Sequence, residues 1–366
     1  MFYKSIKQIE LEITTRCNAA CPQCVRNYYG GKTWSSLPLV DLDREITCQR
    51  LKPFLNDRPH IKFCGTYGDP CVRKDLIEWV HWVRQNSDCP ITINTNGGIQ
   101  TPSWWRELAR VLGPEDKVFW GIDGLEETNH IYRRGVVWKN LERNIEAFNQ
   151  AGGRSVWSFI VFEHNQDQVD LARSRSQKLG FENFAVKKTS RFVDKRQKLV
   201  DQTPVVDNKG KQIYWLRPPT NTEYLNPGYK LIEDTLEQNP NYEEYLKANS
   251  ISCMVQQMSF YIITAEGYVL PCGWLYDRFY GYESEQHKDR AELFKMIDQT
   301  GGLEAISLYE NSIEEIIAGK FFTTLQLSWQ TPSRLQRCAH QCGTAASMFK
   351  NTHKDFAGIL SGPIYS

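Results

Sequence analysis

The chain has 366 residues, 41% hydrophobic and 24% charged, with a formal net charge of +1. Those figures fit a soluble globular protein and give no global pull toward nucleic acid or an anionic membrane. The length favours two domains, no apolar run reaches transmembrane length, and Met1-Phe2-Tyr3-Lys4-Ser5 opens no signal peptide, so the expected location is the cytoplasm.

Strands and helices alternate through the first half. Ile9 to Ile13 alternates as a strand, and a cysteine-bearing loop and a helix over about 41–55 follow. Ile61-Lys62-Phe63 is a second strand, and an amphipathic helix over 75–85 is expected to be capped by Asp75. Ile91-Thr92-Ile93 is a third strand, and Pro102 opens the next helix at a position where its missing N–H is harmless. Strands at 117–122 and 156–162, helices at 138–150 and 166–179, and a sixth strand at 184–186 complete the pattern. Six β/α units in sequence predict an α/β fold, a parallel sheet curled into a partial (β/α)6 barrel over residues 1–191. Functional groups of such barrels collect where strands hand over to loops.

The alternation stops near Arg191. Residues 192–250 are polar and read as a bridging segment with some helix around 229–237. Residues 251–366 form a smaller unit, expected to be α+β: a hairpin over 259–270, a helix over 312–329, then a cysteine-rich tail.

Seven of the eleven cysteines fall into two groups. Cys48, Cys64, Cys71 and Cys89 have no ligand spacing and read as small buried hydrophobes. Without an export signal, reducing conditions favour metal ligation or buried thiols over disulfides. Cys17, Cys21 and Cys24 have the spacing C-x3-C-x2-C directly after the first strand. Three thiolates can hold three irons of a [4Fe–4S] cube and leave the fourth open to a chelating small molecule. A zinc knuckle would need a fourth ligand, and the loop offers no histidine.

At these residues the chain resembles the radical S-adenosylmethionine (SAM) superfamily, and the resemblance continues at each strand end. Residues 64–70, Cys-Gly-Thr-Tyr-Gly-Asp-Pro, stand where the family has a glycine-rich motif that meets the methionine amino group of SAM, with Gly68 and Asp69 at its last positions. Thr95-Asn96-Gly97 stands near the SAM ribose, and Gly121-Ile122-Asp123-Gly124 is followed by His130 and Arg133 or Arg134, as in many members. Asn165 and Arg191 lie just past the fifth and sixth strands. The resemblance thus implies that Gly68, Asp69, Thr95, Asn96, Asp123, Asn165 and Arg191 bind the cofactor. It implies that SAM chelates the open iron and is cleaved reductively to methionine and a 5′-deoxyadenosyl radical that abstracts hydrogen.

The second group is Cys253, Cys272, Cys338 and Cys342. Its Cys-x13-Gly-x4-Cys element resembles the SPASM and shortened twitch auxiliary-cluster domains, and four cysteines fit the shortened, one-cluster form. Gly267 then permits the hairpin turn. A second [4Fe–4S] cluster is expected, with a four-cysteine zinc site as the competing reading. His340 could replace one of these ligands, but its place between two cysteines favours an exposed position or one just behind the site.

The basic residues Lys187, Lys188, Arg191, Lys195, Arg196 and Lys198 read as a solvated loop, with an anionic substrate as the other reading. Tyr67 and Cys71 are candidate hydrogen donors to a substrate radical. The reading put first is hydrogen abstraction from an amino-acid residue of a peptide or protein. The alternatives are a dehydrogenase or epimerase of a small metabolite such as an amino sugar and, in a different class, an iron–sulfur electron carrier or zinc-stabilised scaffold. The cluster loop begins at residue 17, which leaves no room for an N-terminal leader-peptide-binding domain and weighs against the peptide reading. Expected partners are a reductant such as flavodoxin or ferredoxin and a peptide or small-molecule substrate, with no membrane and no nucleic acid.

Overall fold

The computed structural model describes residues 6–193, 199–239, 241–280 and 288–344. Lys195, Arg196 and Lys198 lie outside them. The six predicted parallel strands are β1 (Gln8–Leu11), β2 (His60–Phe63), β3 (Ile91–Thr95), β4 (Lys117–Gly121), β5 (Ser155–Val161) and β6 (Asn183–Lys188). Two more pairs follow, β7 (Thr203–Val206) with β8 (Gln212–Leu216), and β9 (Phe260–Ile263) with β10 (Val269–Leu270).

Strands β1 to β6 lie in sequence order, each parallel to the next. The partial α/β barrel expected from the alternation is present. The hairpin adds to it: β9 pairs parallel with β1, Gln8 opposite Phe260 and Leu11 opposite Ile263, and β10 runs antiparallel outside it. The β1 edge would otherwise present unpaired N–H and C=O groups. With a strand on each side, β1 is buried along its whole length. The ladder stops at β6 and β10 without closing.

The outer face of the sheet is covered by helices whose starts are set locally. Pro102–Val111 has Pro102 in its first turn and Thr101 as N-cap, accepting from Trp104 N–H at 3.3 Å. Its Trp105 stacks on Trp120 of β4 at 4.4 Å, with Phe148 of the helix Trp138–Gln150 edge-on to both. Losing the Trp120 ring from this fully buried cluster would cost about 3–5 kcal/mol. Asp75 is at the start of the helix Leu76–Asn86 but does not cap it, because Arg73 takes both its carboxylate oxygens. The single helix expected over 312–329 is two, Ile313–Ala318 and Lys320–Ser328, divided at Gly319. The first carries a capping box between Ser312 and Glu315. The bridging segment holds the β7–β8 hairpin and helices Gly228–Gln238 and Tyr242–Ala248. Cys48, Cys64, Cys71 and Cys89 are all buried, as expected of small hydrophobes.

Candidate active site

The barrel places the first cysteine group against the ends of β1, β3 and β4. Cys17 and Cys21 lie where burial pushes their thiols up, Cys21 to about 11. Thiolates in such a place need compensating donors or a bound cation. Donors are present: Ala19 N–H stands 3.4 Å from Cys17 Sγ, Asn96 Nδ2 3.8 Å from the same sulfur, and Arg133 Nη1 3.8 Å from Cys21 Sγ. N–H groups aimed at ligand sulfurs tune a cluster and favour its thiolate form. These three cysteines therefore fit the [4Fe–4S] group.

Of the two arginines left open by the sequence, Arg133 faces the cysteines. Its Nε donates to Asp123 Oδ2 at 2.6 Å. Arg134 turns away and donates to the carbonyls of Gly30 and Val206. His130 is exposed. Its neighbour Asn129, buried, accepts from Asp123 N–H at 3.0 Å instead.

The predicted SAM contacts fall into two hydrogen-bonded groups, one around Asp69 and one around Asp123, with Gly68 and Arg191 outside both. Asp69 is buried, and its carboxylate accepts from Thr95 Oγ1, Asn96 N–H, Asn96 Nδ2 and Cys71 N–H at 2.7–3.1 Å. Asn96 passes this on, donating to Asn18 Oδ1 at 2.9 Å. Asp123 accepts from Ile160 N–H at 2.6 Å as well as from Arg133. Asn165 is fully buried, and its amide bonds Phe162 N–H, Asp123 O and Ile160 O at 2.7–2.9 Å, which ties the ends of β4 and β5 together. Arg191 donates to Gln23 O at 2.9 Å and so braces the cysteine loop. Gly68 has no room for a side chain: a Cβ there would lie 1.8 Å from Thr14 O.

Glu12 was not singled out in the sequence. It is buried at the end of β1, and its carboxylate accepts from the N–H groups of Thr66, Tyr67 and Gly68 at 2.8, 2.7 and 2.8 Å. The glycine-rich loop is thus wrapped on a carboxylate supplied by the preceding strand. Burial pushes that carboxyl up to about 8, and the three N–H bonds oppose the rise. Strand alternation offered a signal, since Glu10 and Glu12 fall on the same face of a central strand. Arg26, also buried, joins the cysteine loop to the same region by donating to the carbonyls of Thr15 and Tyr67.

The two candidate hydrogen donors are placed inside the protein. Cys71 is fully buried, and Tyr67 donates its hydroxyl to Tyr276 O at 2.9 Å while accepting from Tyr280 N–H at 3.2 Å.

The second cysteine group lines one cavity. Cys253 begins the helix Met254–Met258, Cys272 begins the helix Gly273–Tyr276, and Cys338 and Cys342 stand four apart on the helix Gln336–Cys342. All four border about 380 Å³ of space free of protein atoms, some of it open to solvent, with Val255, Pro271, Leu275, Leu325, Trp329 and Arg337 among the other walls. Burial pushes Cys272 up to about 12 and Cys338 well above its ordinary value. An apolar cavity bordered by four cysteines fits a metal–sulfur group, which would hold them as thiolates. His340 is absent from the lining and bonds Gln341 through Nδ1 at 3.0 Å. Gly267 has φ of +86°, as the hairpin turn requires. Among the described residues, no three His, Cys, Asp or Glu side chains converge on a single-ion site, and no helix is long and apolar enough to cross a membrane.

Residues 11–174 match the model of the family described as the Radical SAM superfamily. Among curated relatives, the chain is 28% identical over 152 residues to 7,8-dihydro-6-hydroxymethylpterin dimethyltransferase of Methanocaldococcus jannaschii, covering 40% of this chain and 28% of that protein. The match therefore spans less than a third of that relative's length. It is 22% identical over 277 residues to the tungsten-containing aldehyde ferredoxin oxidoreductase cofactor-modifying protein of Pyrococcus furiosus, covering 73% and 71% of the two chains. Among solved structures, native anSMEcpe with bound AdoMet aligns over 96% of both chains with a TM-score of 0.54 at 14% identity. Streptococcus suis SuiB bound to S-adenosylmethionine aligns over 92% of this chain and 71% of that one, with a TM-score of 0.50 at 11% identity. These two likenesses show the fold.

Proposed function

We propose that this enzyme, whose residues 11–174 form a radical SAM domain, holds its [4Fe–4S] cluster on Cys17, Cys21 and Cys24 and abstracts hydrogen from a small-molecule substrate. When bound, the cluster and SAM supply a 5′-deoxyadenosyl radical as the hydrogen acceptor. The observation that carries the assignment is the set of N–H donors on the cysteine sulfurs, from Ala19, Asn96 and Arg133. Asp69 orients Asn96, and Asp123 orients Arg133, so the predicted acids position the groups that meet the cluster. Glu12 fixes the 66–68 loop that would receive the methionine end of SAM. Thr95, Asn165 and Arg191 hold the strand ends and the cysteine loop in register.

The small-molecule reading is supported by the pterin and cofactor named for the two curated relatives. Modification of a peptide residue is the rival reading, and its distinguishing result is turnover of a peptide. The proposed division is a barrel over 1–191, a bridging segment over 192–250 and an auxiliary unit over 251–366 whose β9–β10 hairpin extends the barrel's sheet. A second [4Fe–4S] cluster on Cys253, Cys272, Cys338 and Cys342 is supported by their shared cavity. A zinc ion on the same four cysteines is the rival reading, and metal analysis of the reconstituted protein separates the two. A low-potential reductant such as flavodoxin or ferredoxin would supply the electron.

The test is anaerobic reconstitution followed by reduction with dithionite in the presence of SAM. Wild type should release 5′-deoxyadenosine, and Cys17→Ala, Cys21→Ala and Cys24→Ala should each release none. Undiminished product from the triple variant refutes the assignment.

A further inference from the structure

The inner face of the barrel can be read from its registers. Ser158 of β5 lies opposite Ala185 of β6, and Ile160 opposite Lys187. Side chains alternate along a strand, so Ser158, Ile160, Ala185 and Lys187 share one face. Phe119, Val156 and Ala185 form a small apolar cluster apart from the main core on that face. Phe184, on the opposite face, packs on Trp157 and Phe159 at 5.8 and 5.7 Å. The lumen therefore receives Lys187 and Ser158, while the helices cover their neighbours.

Two lumen groups lack partners. Ser158 is 5% exposed, and its buried hydroxyl has no hydrogen-bond partner. Among the described residues Lys187 has no ion-pair or hydrogen-bond partner either. The nearby polar and charged groups are already engaged. Glu10 pairs with Lys62 at 3.0 Å, Asp123 pairs with Arg133 at 2.6 Å, and Asn94 donates to Cys64 Sγ at 3.4 Å. That leaves the half-buried ammonium of Lys187 as a cation in the lumen with no protein partner among the described residues. Burial pushes it down to about 8, Arg133 and Lys62 push the same way, and Asp123 and Cys64 pull back. A buried hydroxyl without a partner, such as that of Ser158, is costly unless a ligand satisfies it, and the half-buried ammonium beside it supplies the charge. Strands about 4.8 Å apart with a rise of about 3.3 Å per residue put such diagonal neighbours about 8 Å apart at Cα, a span one carboxylate can bridge with a lysine and a serine.

We propose that Lys187 and Ser158 form a carboxylate-binding subsite in the barrel lumen and that the substrate of this enzyme bears that carboxylate. The proposal rests on the radical SAM reading, since it takes the lumen beside Arg133 and Cys21 as the place where substrate meets the cofactor.

The experiment is competitive labelling of the reconstituted full-length protein held with SAM under anaerobic conditions. Reductive methylation with ¹³C-formaldehyde at fixed pH is followed by mass spectrometry of Lys187, with exposed Lys139 as reference. The probe carboxylate is sodium acetate, against sodium chloride and acetamide at matched concentration. Acetate should slow methylation of Lys187 about threefold at twice its dissociation constant, because the free fraction falls as 1/(1 + [L]/Kd). It should leave Lys139 unchanged. Chloride and acetamide should have no such effect, and Ser158→Ala should weaken the protection. Equal protection by chloride, or none by acetate, overturns the proposal. So does loss of Lys187 labelling caused by SAM alone, which would give the site to the carboxylate of SAM. Release of 5′-deoxyadenosine by the same preparation reports separately on the radical SAM reading, so failure of one is distinguishable from failure of the other.

Discussion

Removing the carboxylate of Glu12 should loosen the 66–68 loop, proposed to receive the methionine end of SAM, without touching the cysteines proposed to hold the cluster. Glu12→Ala takes away the acceptor for three backbone N–H groups at 2.7–2.8 Å. A buried donor left unsatisfied costs about 1–3 kcal/mol, so full exposure of three would cost about 3–9 kcal/mol. Tyr67 is buried, but Thr66 and Gly68 are only partly so, and water can reach them. The lower end, about 3 kcal/mol, is therefore the working figure. If SAM must reorder this loop to bind, that energy raises its dissociation constant about a hundredfold. The assay is anaerobic titration of SAM into reconstituted protein, with iron content and thermal unfolding measured on the same sample. Glu12→Gln keeps the length and one acceptor oxygen and should bind within about tenfold of wild type, a loss of no more than about 1.4 kcal/mol. A Glu12→Ala protein with full iron and unchanged SAM affinity would refute the reasoning.

Cys338→Ala combined with Cys342→Ala should remove about half of the roughly eight irons, four per cube, and abolish substrate turnover while leaving some uncoupled SAM cleavage. Normal turnover by a folded variant would show that the auxiliary site has no catalytic part. Tyr67→Phe deletes a hydroxyl that bonds both Tyr276 O and Tyr280 N–H, so it should destabilise the joint between the glycine-rich loop and the helix beginning at Cys272 by about 1–3 kcal/mol in denaturant unfolding. His164 is pushed down to about 4 by burial and then by His130. The unfolded chain binds its proton below about pH 6.5 and the folded one does not, so this contribution is complete above that pH. It should fall by up to about 1.4 kcal/mol per unit as pH drops toward 4, and His164→Phe should flatten that slope. Parallel pH–stability curves for wild type and variant would contradict it.

What the sequence determined by itself was whatever depends on short spacings. The C-x3-C-x2-C loop, the six alternating strands, the helix opening at Pro102 and the turn at Gly267 were all legible, because each is a local constraint on backbone or ligand reach. Alternation also put Glu12 on the inner face of its strand, but not on the three N–H groups some 54 to 56 residues away that it binds. Spacing could not choose between Arg133 and Arg134. That choice is made by the turn after β4, which sends one side chain to Asp123 and Cys21 and the other to Gly30. Nor could it show that Phe260–Ile263 would leave its own segment and cover the open edge of β1, since any strand edge offers the same donors and acceptors. That Ser158 and Lys187 fall on one face of neighbouring strands is of the same kind. Periodicity tells which way a side chain points, while only the registers between neighbouring strands decide which distant side chains share a face.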